Sequence, residues 1–282
     1  MTKRSYYSMR TGQNPSITLD LAMLRKLFLN AYLSFDTQYF FQEAFGYQCV
    51  DAGVVPGTLG TDIGAEMLRR LHKDDLWPIE DKCAQYSEDD LFDVMEFLND
   101  CVSQPVQGRY HSFGDCGWHY HTFDREAGRD EFRTEMNDLL GDYQGRYQMS
   151  ADGEIMIRPE SGLEHLVIAE LPACDPDSVE HKVETAIRKF LRYASSMEDR
   201  RDAIRDLADV LEFLRPEAKQ VLTRKDEADL FNIANNFGIR HHNVEQKTDY
   251  DASIWYEWMF YYYLATIHAV LRLLQRSGQD NQ

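Results

Sequence analysis

The spacing of hydrophobic residues predicts a mainly α-helical chain. Apolar side chains recur every three or four residues from Leu19 to Glu43, which predicts one long, buried helix. The same spacing predicts a helix that begins at Ser87, whose hydroxyl can cap the first turn, and another over residues 128–143. Residues 47–82 lie between the first two helices and are rich in glycine, so they predict a loop.

A short β-hairpin is predicted after these helices. Apolar residues alternate over residues 147–157, and Asp152-Gly153 supplies the turn with positive φ. The helices and the hairpin together indicate an α+β first domain. Residues 172–177 carry two prolines and two aspartates, which predicts a connector and places the domain boundary near residue 175.

The second half of the chain predicts an all-α bundle. Ser195 and Glu198 form a capping-box pattern at the start of one helix, and Pro216 is expected to end it. The final helix is apolar nearly all round, so it should lie in the middle of the bundle. Helices are expected at about residues 179–194, 195–214, 226–237 and 251–275. The expected fold is therefore mainly α, with an α+β domain over residues 1–175 and a helical bundle over residues 176–282.

Composition and charge narrow the classes of function. Hydrophobic residues make up 43% of the 282 residues, which indicates a packed globular protein. The net charge of −18 excludes a broadly basic surface, so any contact with nucleic acid must be local. The five cysteines are scattered and contain no CxxC pair, which favours reduced thiols. With no apolar signal segment and no stretch long enough to span a bilayer, the chain is expected to be cytoplasmic.

A turn before the last predicted helix concentrates groups that could act on phosphate. Arg240, His241, His242 and Asn243 follow one another directly. Two histidines can share general acid and base roles near neutral pH, while an arginine stabilises charge on a pentavalent phosphorus. That is the chemistry of metal-independent RNA cleavage, with Asn243 positioning a phosphate oxygen or the loop. The same residues could instead pair with nearby carboxylates as structural caps, and both interpretations stay open.

This arginine turn, placed before the closing helix of an acidic bundle, resembles the HEPN family (higher eukaryote and prokaryote nucleotide-binding). The resemblance covers about residues 178–276 and implies a small helical domain, commonly a homodimer. Many members are endoribonucleases of toxin, CRISPR and abortive-infection systems. Where the family motif places its catalytic histidine, this chain has Glu245, Gln246 and Lys247. Either His242 substitutes, or the domain binds RNA, a nucleotide or a protein without cleavage.

The first half resembles the N-terminal domain of AbiJ-type abortive infection proteins, in which it is fused to a HEPN domain. The resemblance is carried by residues 39–46, 90–98 and 132–147 and by the Gly-Glu-Ile hairpin that follows them. It implies phage defence, with the first domain sensing or controlling the second. The partners it implies are single-stranded RNA at a local site, a second copy of the chain, and a phage-derived trigger or partner protein. No membrane and no cofactor are expected.

Basic residues gather in the second half, where a polyanion could be tolerated. From Lys182 to Arg205 there are seven basic and four acidic residues, a local charge of +3. The alternative is that these residues form solvated helix faces that neutralise one another. The residues predicted to contact RNA are Arg188, Arg192, Arg201 and Lys247.

A second group of reactive residues follows Cys101. His111, Cys116, His119 and His121 lie close together in the sequence and could surround Zn²⁺. Neither a CxxC nor an HxxxH pair is present, so the sequence predicts no metal site and leaves Cys116, His119 and His121 as weak candidates. The favoured alternative is an aromatic loop whose histidines form local hydrogen bonds or line a pocket.

Overall fold

The computed structural model describes residues 6–12, 19–144, 146–159, 162–222 and 251–279. These residues are mainly helical, with small two-stranded antiparallel sheets, which confirms the expected fold class. The chain divides into two compact units, Met1–Met156 and Ile157–Gln282. The boundary between the units thus falls after Met156, whereas the sequence analysis places it near residue 175.

The first unit mixes helices with three hairpins. Its described helices are α1 (Tyr7–Arg10), α2 (Leu21–Thr37), α3 (Gln42–Phe45), α4 (Ile63–Leu71), α5 (Ile79–Lys82), α6 (Glu88–Cys101) and α7 (Arg125–Asp142). Its described strands pair as β1 (Gly46–Cys49) with β2 (Gly53–Pro56), β3 (Gln104–His111) with β4 (Gly117–Asp124), and β5 (Tyr147–Met149) with β6 (Ile155–Ile157).

The long helix predicted over residues 19–43 is in fact two helices. Asp20 caps α2 by accepting a hydrogen bond from the Met23 amide, and α2 ends at Thr37. Tyr39 then adopts a φ of 67°, which no α-helix accommodates, and α3 begins at Gln42. The apolar pattern hides this break because Phe40, within the turn, is as buried as the residues of α2.

The two other hairpins fall where the sequence analysis expected loops. β1 and β2 lie inside the predicted loop 47–82, paired from Gly46↔Pro56 to Cys49↔Gly53. β3 and β4 run antiparallel through the segment that was expected to be an aromatic loop. Their polar and apolar residues do not alternate cleanly, so the strand pattern is weak. The hairpin predicted over residues 147–157 is confirmed as β5 and β6.

Aromatic rings and a buried helix form the core of the first unit. Phe132 of α7 contacts Phe35 and Phe41 edge-on, with ring centroids 5.2 and 6.3 Å apart. Ser87 and Asp90 form the predicted capping box at the start of α6. Four side chains of α6 are fully buried: Leu91, Val94, Met95 and Leu98.

The second unit is a helical bundle over its described residues. It contains α8 (Glu164–Ile168), a π-helical turn (Pro176–Glu180), α9 (His181–Leu191), α10 (Met197–Val221) and α11 (Ala252–Gln279), and α10 packs against both α9 and α11. Buried rings of Phe190 and Phe260 stack 4.0 Å apart between α9 and α11. The helix predicted over residues 226–237 lies outside the described residues.

Two details of the bundle differ from the predictions. The capping box of α10 uses Ser196 and Asp199, one residue later than expected. The last helix, α11, is not buried on every side: the apolar side chains of Ile254, Trp255 and Trp258 are exposed near its start. Within the described residues, no helix has the length and apolarity needed to cross a bilayer.

Pro216 does not end α10, contrary to the prediction. The helix continues to Val221, because Leu214 and Ala218 on either side of the proline are buried against the bundle. Packing therefore outweighs the backbone hydrogen bond that a proline cannot donate.

Replacing this proline should stabilise the protein. Pro216 is exposed, so Pro216→Ala restores an amide donor without disturbing the core. We expect the free energy of unfolding to rise by up to about 3 kcal/mol. Urea unfolding followed by circular dichroism measures this, with Glu217→Ala as the control on the same exposed surface. A loss of stability in Pro216→Ala would show that the proline is not a helix-interior residue.

Candidate metal centre

Two hairpin ends meet in the first unit. The turn after Cys49 approaches the loop that joins β3 to β4. Gly114, in that loop, has a φ of 62°, and a Cβ atom there would lie 2.6 Å from Val50 Cγ1. Glycine is required at this position, because any side chain would both strain the backbone and push the two hairpins apart.

Four metal-ligating side chains converge where the hairpins meet. Cys49, His111, Cys116 and His119 each offer one ligand atom, and these atoms all lie within 4.8 Å of one another. The Sγ atom of Cys49 is 3.6 Å from Nδ1 of His111. A tetrahedral Zn²⁺, with bonds of about 2.3 Å to sulfur and 2.0–2.1 Å to nitrogen, holds such a pair about 3.6 Å apart. The spacing therefore fits tetrahedral zinc.

Residues next to Cys49 support the ligands on the facing loop. Nε2 of His111 lies 3.2 Å from a carboxylate oxygen of Asp51, which leaves Nδ1 to face the cluster. The backbone amide of Val50 donates a hydrogen bond to Sγ of Cys116 at 3.3 Å. A carboxylate that orients a histidine, and an amide that stabilises a sulfur, are the supports that metal ligands usually have. One turn thus supplies the ligand Cys49 and, through Val50 and Asp51, supports the ligands Cys116 and His111.

Ring stacking and burial hold His119 in place, and its Nε2 atom makes no hydrogen bond in the described structure. Its ring stacks on Tyr47, with centroids 4.1 Å apart. Its Nε2 atom is buried and has no hydrogen-bond partner in the described structure. Burial, reinforced by nearby His111 and Arg109, lowers the pKa of His119. The imidazole is therefore neutral near pH 7, which is the form that binds metals.

Gln42 anchors the strand that carries His119. Its side-chain amide donates to the carbonyl of Trp118 at 2.9 Å, and its side-chain oxygen accepts from the amide of Tyr120 at 2.6 Å. Gln42 is itself buried. This pair of hydrogen bonds satisfies the free edge of β4 on both sides of His119 and so fixes the position of that ligand.

The structure brings together only part of the group that the sequence suggested. Cys116 and His119 belong to the cluster, but His121 is exposed and pairs with the hydroxyl of Thr122. Cys101 lies elsewhere at the end of α6, where burial raises the pKa of its thiol to about 12. Sequence reasoning missed Cys49, because 62 residues separate it from His111. The one local signal was the short Cys116-x-x-His119 spacing.

The residues predicted to act on RNA are only partly described. Arg240, His241, His242, Asn243 and Lys247 lie outside the described residues. Arg188 is in the last turn of α9, Arg192 follows that helix, and Arg201 lies in α10.

Several of the neighbouring basic side chains are neutralised locally. Lys189 pairs with Asp206 at 2.6 Å, and Arg205 pairs with Asp202 at 3.2 Å. Arg200 lies over the ring of Phe190. Asp202 is already included in the local charge of +3, and adding Asp206, the partner of Lys189, lowers it to +2.

Comparisons with family models, with curated proteins and with solved structures give no match to this chain. Four protein ligands fill a tetrahedral coordination shell and leave no position for water or substrate, which is the arrangement of a structural metal site.

Removing the Gln42 side chain should destabilise the first unit. Gln42→Ala leaves a carbonyl and an amide of β4 without partners, so the free energy of unfolding should fall by about 1–3 kcal/mol. Urea unfolding measures the change. Gln38→Ala is the control, because Gln38 is exposed and its amide binds only within its own helix. Equal effects of the two substitutions would contradict the anchoring role of Gln42.

Proposed function

We propose that the first unit binds one Zn²⁺ ion through Cys49, His111, Cys116 and His119, and that the ion joins the β1–β2 hairpin to the β3–β4 hairpin. The observation that carries this proposal is the convergence of the four ligand atoms within 4.8 Å. The proposal replaces the expectation, drawn from the sequence, that the chain has no metal site.

The donor set favours zinc over other cations. Two thiolates and two imidazoles in a compact cluster suit Zn²⁺, whereas Mg²⁺ and Ca²⁺ prefer oxygen ligands. The other two cysteines of the first unit, Cys83 and Cys101, lie outside the cluster. Burial raises the pKa of Cys83 to about 11 and that of Cys101 to about 12, so both stay neutral thiols.

Metal analysis tests the proposal directly. Purified protein should contain about one zinc per chain by mass spectrometry, and Co²⁺ substituted for it should give the absorption of tetrahedral thiolate coordination. Cys49→Ala should lose the metal and lower Tm, because the ion contributes to folding only while its ligands are complete. Cys174 lies outside the cluster, so Cys174→Ala should change neither the zinc content nor Tm. Zinc retained in Cys49→Ala would refute the assignment.

Asp51 gives a subtler test of the same site. Asp51→Asn should weaken zinc binding by about 10–100-fold, because His111 loses the carboxylate that orients it. Asp115→Asn is a matched control: it removes the same charge from the facing loop, where Asp115 already has the positive φ that asparagine tolerates. Competition with a chromogenic chelator measures both affinities. If both substitutions weaken zinc binding equally, the overall charge of the site and not the orientation of His111 sets the affinity.

For the second unit, we propose an RNA-directed role in phage defence. Support comes from the helical packing of α9, α10 and α11 and from the resemblance of residues 178–276 to the HEPN family. In the cleaving form, the ribose 2′-hydroxyl attacks the adjacent phosphorus and the 5′-oxygen leaves. Arg240 stabilises the phosphorane, and His241 or His242 transfers the protons. The alternative form binds RNA, a nucleotide or a protein without cleavage.

An RNA assay separates these forms. Zinc-loaded protein is incubated with labelled total RNA without free divalent cations, since a strong chelator would also strip the first unit. Arg240→Ala and His242→Ala should each slow cleavage by about 100-fold or more, and exposed His165→Ala should not. Cleavage that survives both substitutions would contradict the site. RNA binding without cleavage by the unaltered protein would favour the non-cleaving form.

A further inference from the structure

A cavity lies within the second unit. It has a volume of about 410 Å³ and is bounded by the end of α8 and the segment after it, by one face of α9, and by His268 of α11. Apolar walls are supplied by residues such as Val183, which is buried, and Ile187 and Leu171, which are partly buried.

His268 forms the buried part of this cavity, and one of its ring nitrogens has no partner. The side chain is 5% exposed, and within the described structure its Nδ1 atom makes no hydrogen bond. The ring also forms a hydrogen bond with the backbone of Leu166. Burial and the nearby Arg272 lower the pKa of His268. The ring is therefore neutral, and Nδ1 is an acceptor that lacks a donor.

Carboxylates surround the exposed side of the same cavity. Glu170, Glu180 and Glu184 line it, and all three are exposed to solvent. Against these three negative charges stands Arg272, one turn beyond His268 on α11. The lining thus combines one buried acceptor with a net negative rim, and an unpartnered buried acceptor of this kind is costly unless a ligand supplies a donor.

A divalent metal does not fit this arrangement. Among the described residues, the four-residue cluster of the first unit is the one group whose metal-ligating atoms gather within 4.8 Å. The acids of the second unit are therefore too dispersed to form a metal cage. Dispersed carboxylates and apolar walls instead suit an extended organic cation, whose charges are separated by methylene groups.

We propose that this cavity binds an aliphatic diamine or polyamine. One ammonium group donates a hydrogen bond to Nδ1 of His268, and a second pairs with the glutamates at the rim. The methylene chain between them packs against the apolar walls. The net charge of −18 adds a general attraction for cations, so the test must separate the site from that background.

Isothermal titration of the full-length, zinc-loaded chain with putrescine tests this proposal. Saturable binding at one site is expected, and 1,4-butanediol, which has the same length and no charge, should not bind. Glu184→Gln should weaken putrescine binding by about tenfold, through loss of one charged hydrogen bond. Glu217→Gln removes the same charge from an exposed position of α10 and should leave the affinity unchanged.

His268→Phe adds a second, independent readout. It leaves the charge near neutral pH unchanged but removes the acceptor and fills the cavity, so it should abolish binding. If that variant fails to fold, the comparison of Glu184→Gln with Glu217→Gln still decides, because both positions are exposed. Equal weakening by the two glutamate substitutions, or putrescine binding without saturation, would overturn the proposal in favour of diffuse attraction to an acidic surface.

Discussion

The first unit depends on the contact between two short hairpins, β1–β2 and β3–β4, which hydrophobic burial alone does not hold together. A two-stranded sheet is marginal by itself. On the two facing loops, the apolar side chains of Val50 and Phe113 are exposed. What joins the hairpins is a set of polar contacts centred on Cys49, His111, Cys116 and His119. In the proposed site, zinc coordination would add the stabilisation that burial does not supply, and Gly114 allows the two hairpins to come close enough for it.

The helical frame places this junction. The turn at Tyr39 breaks the first long apolar segment and redirects the chain, so that α3 presents Gln42 to the edge of β4. The ring of Tyr39 packs against Tyr120 of the same strand, 5.5 Å away. A bidentate ion pair between Glu43 and Arg125 then ties α3 to the start of α7 and holds the pKa of Glu43 below its usual range. The break in the helix is therefore part of what builds the site.

Each unit leaves one buried histidine nitrogen without a hydrogen-bond partner in the described structure. In the first, buried or half-buried donors and acceptors around the cluster are matched to one another, apart from Nε2 of His119. In the second, His268 presents an unmatched acceptor to an acidic cavity. The excess of acidic residues also limits how RNA could bind. Lys189 and Arg205 are already paired with Asp206 and Asp202, so a polyanion would have to compete with these carboxylates for both side chains.

The sequence by itself determined the features that depend on neighbours three or four residues apart. The helical content, the capping box at Ser87 and the hairpin over residues 147–157 follow from local periodicity and turn chemistry. Tertiary packing decided the rest. It broke the first long helix at Tyr39 and carried α10 through Pro216. It also assembled the cluster of four ligand residues, because Cys49 and His111 belong to different two-stranded sheets and meet only where the two hairpins approach each other. No local pattern encodes a contact between residues that are 62 positions apart.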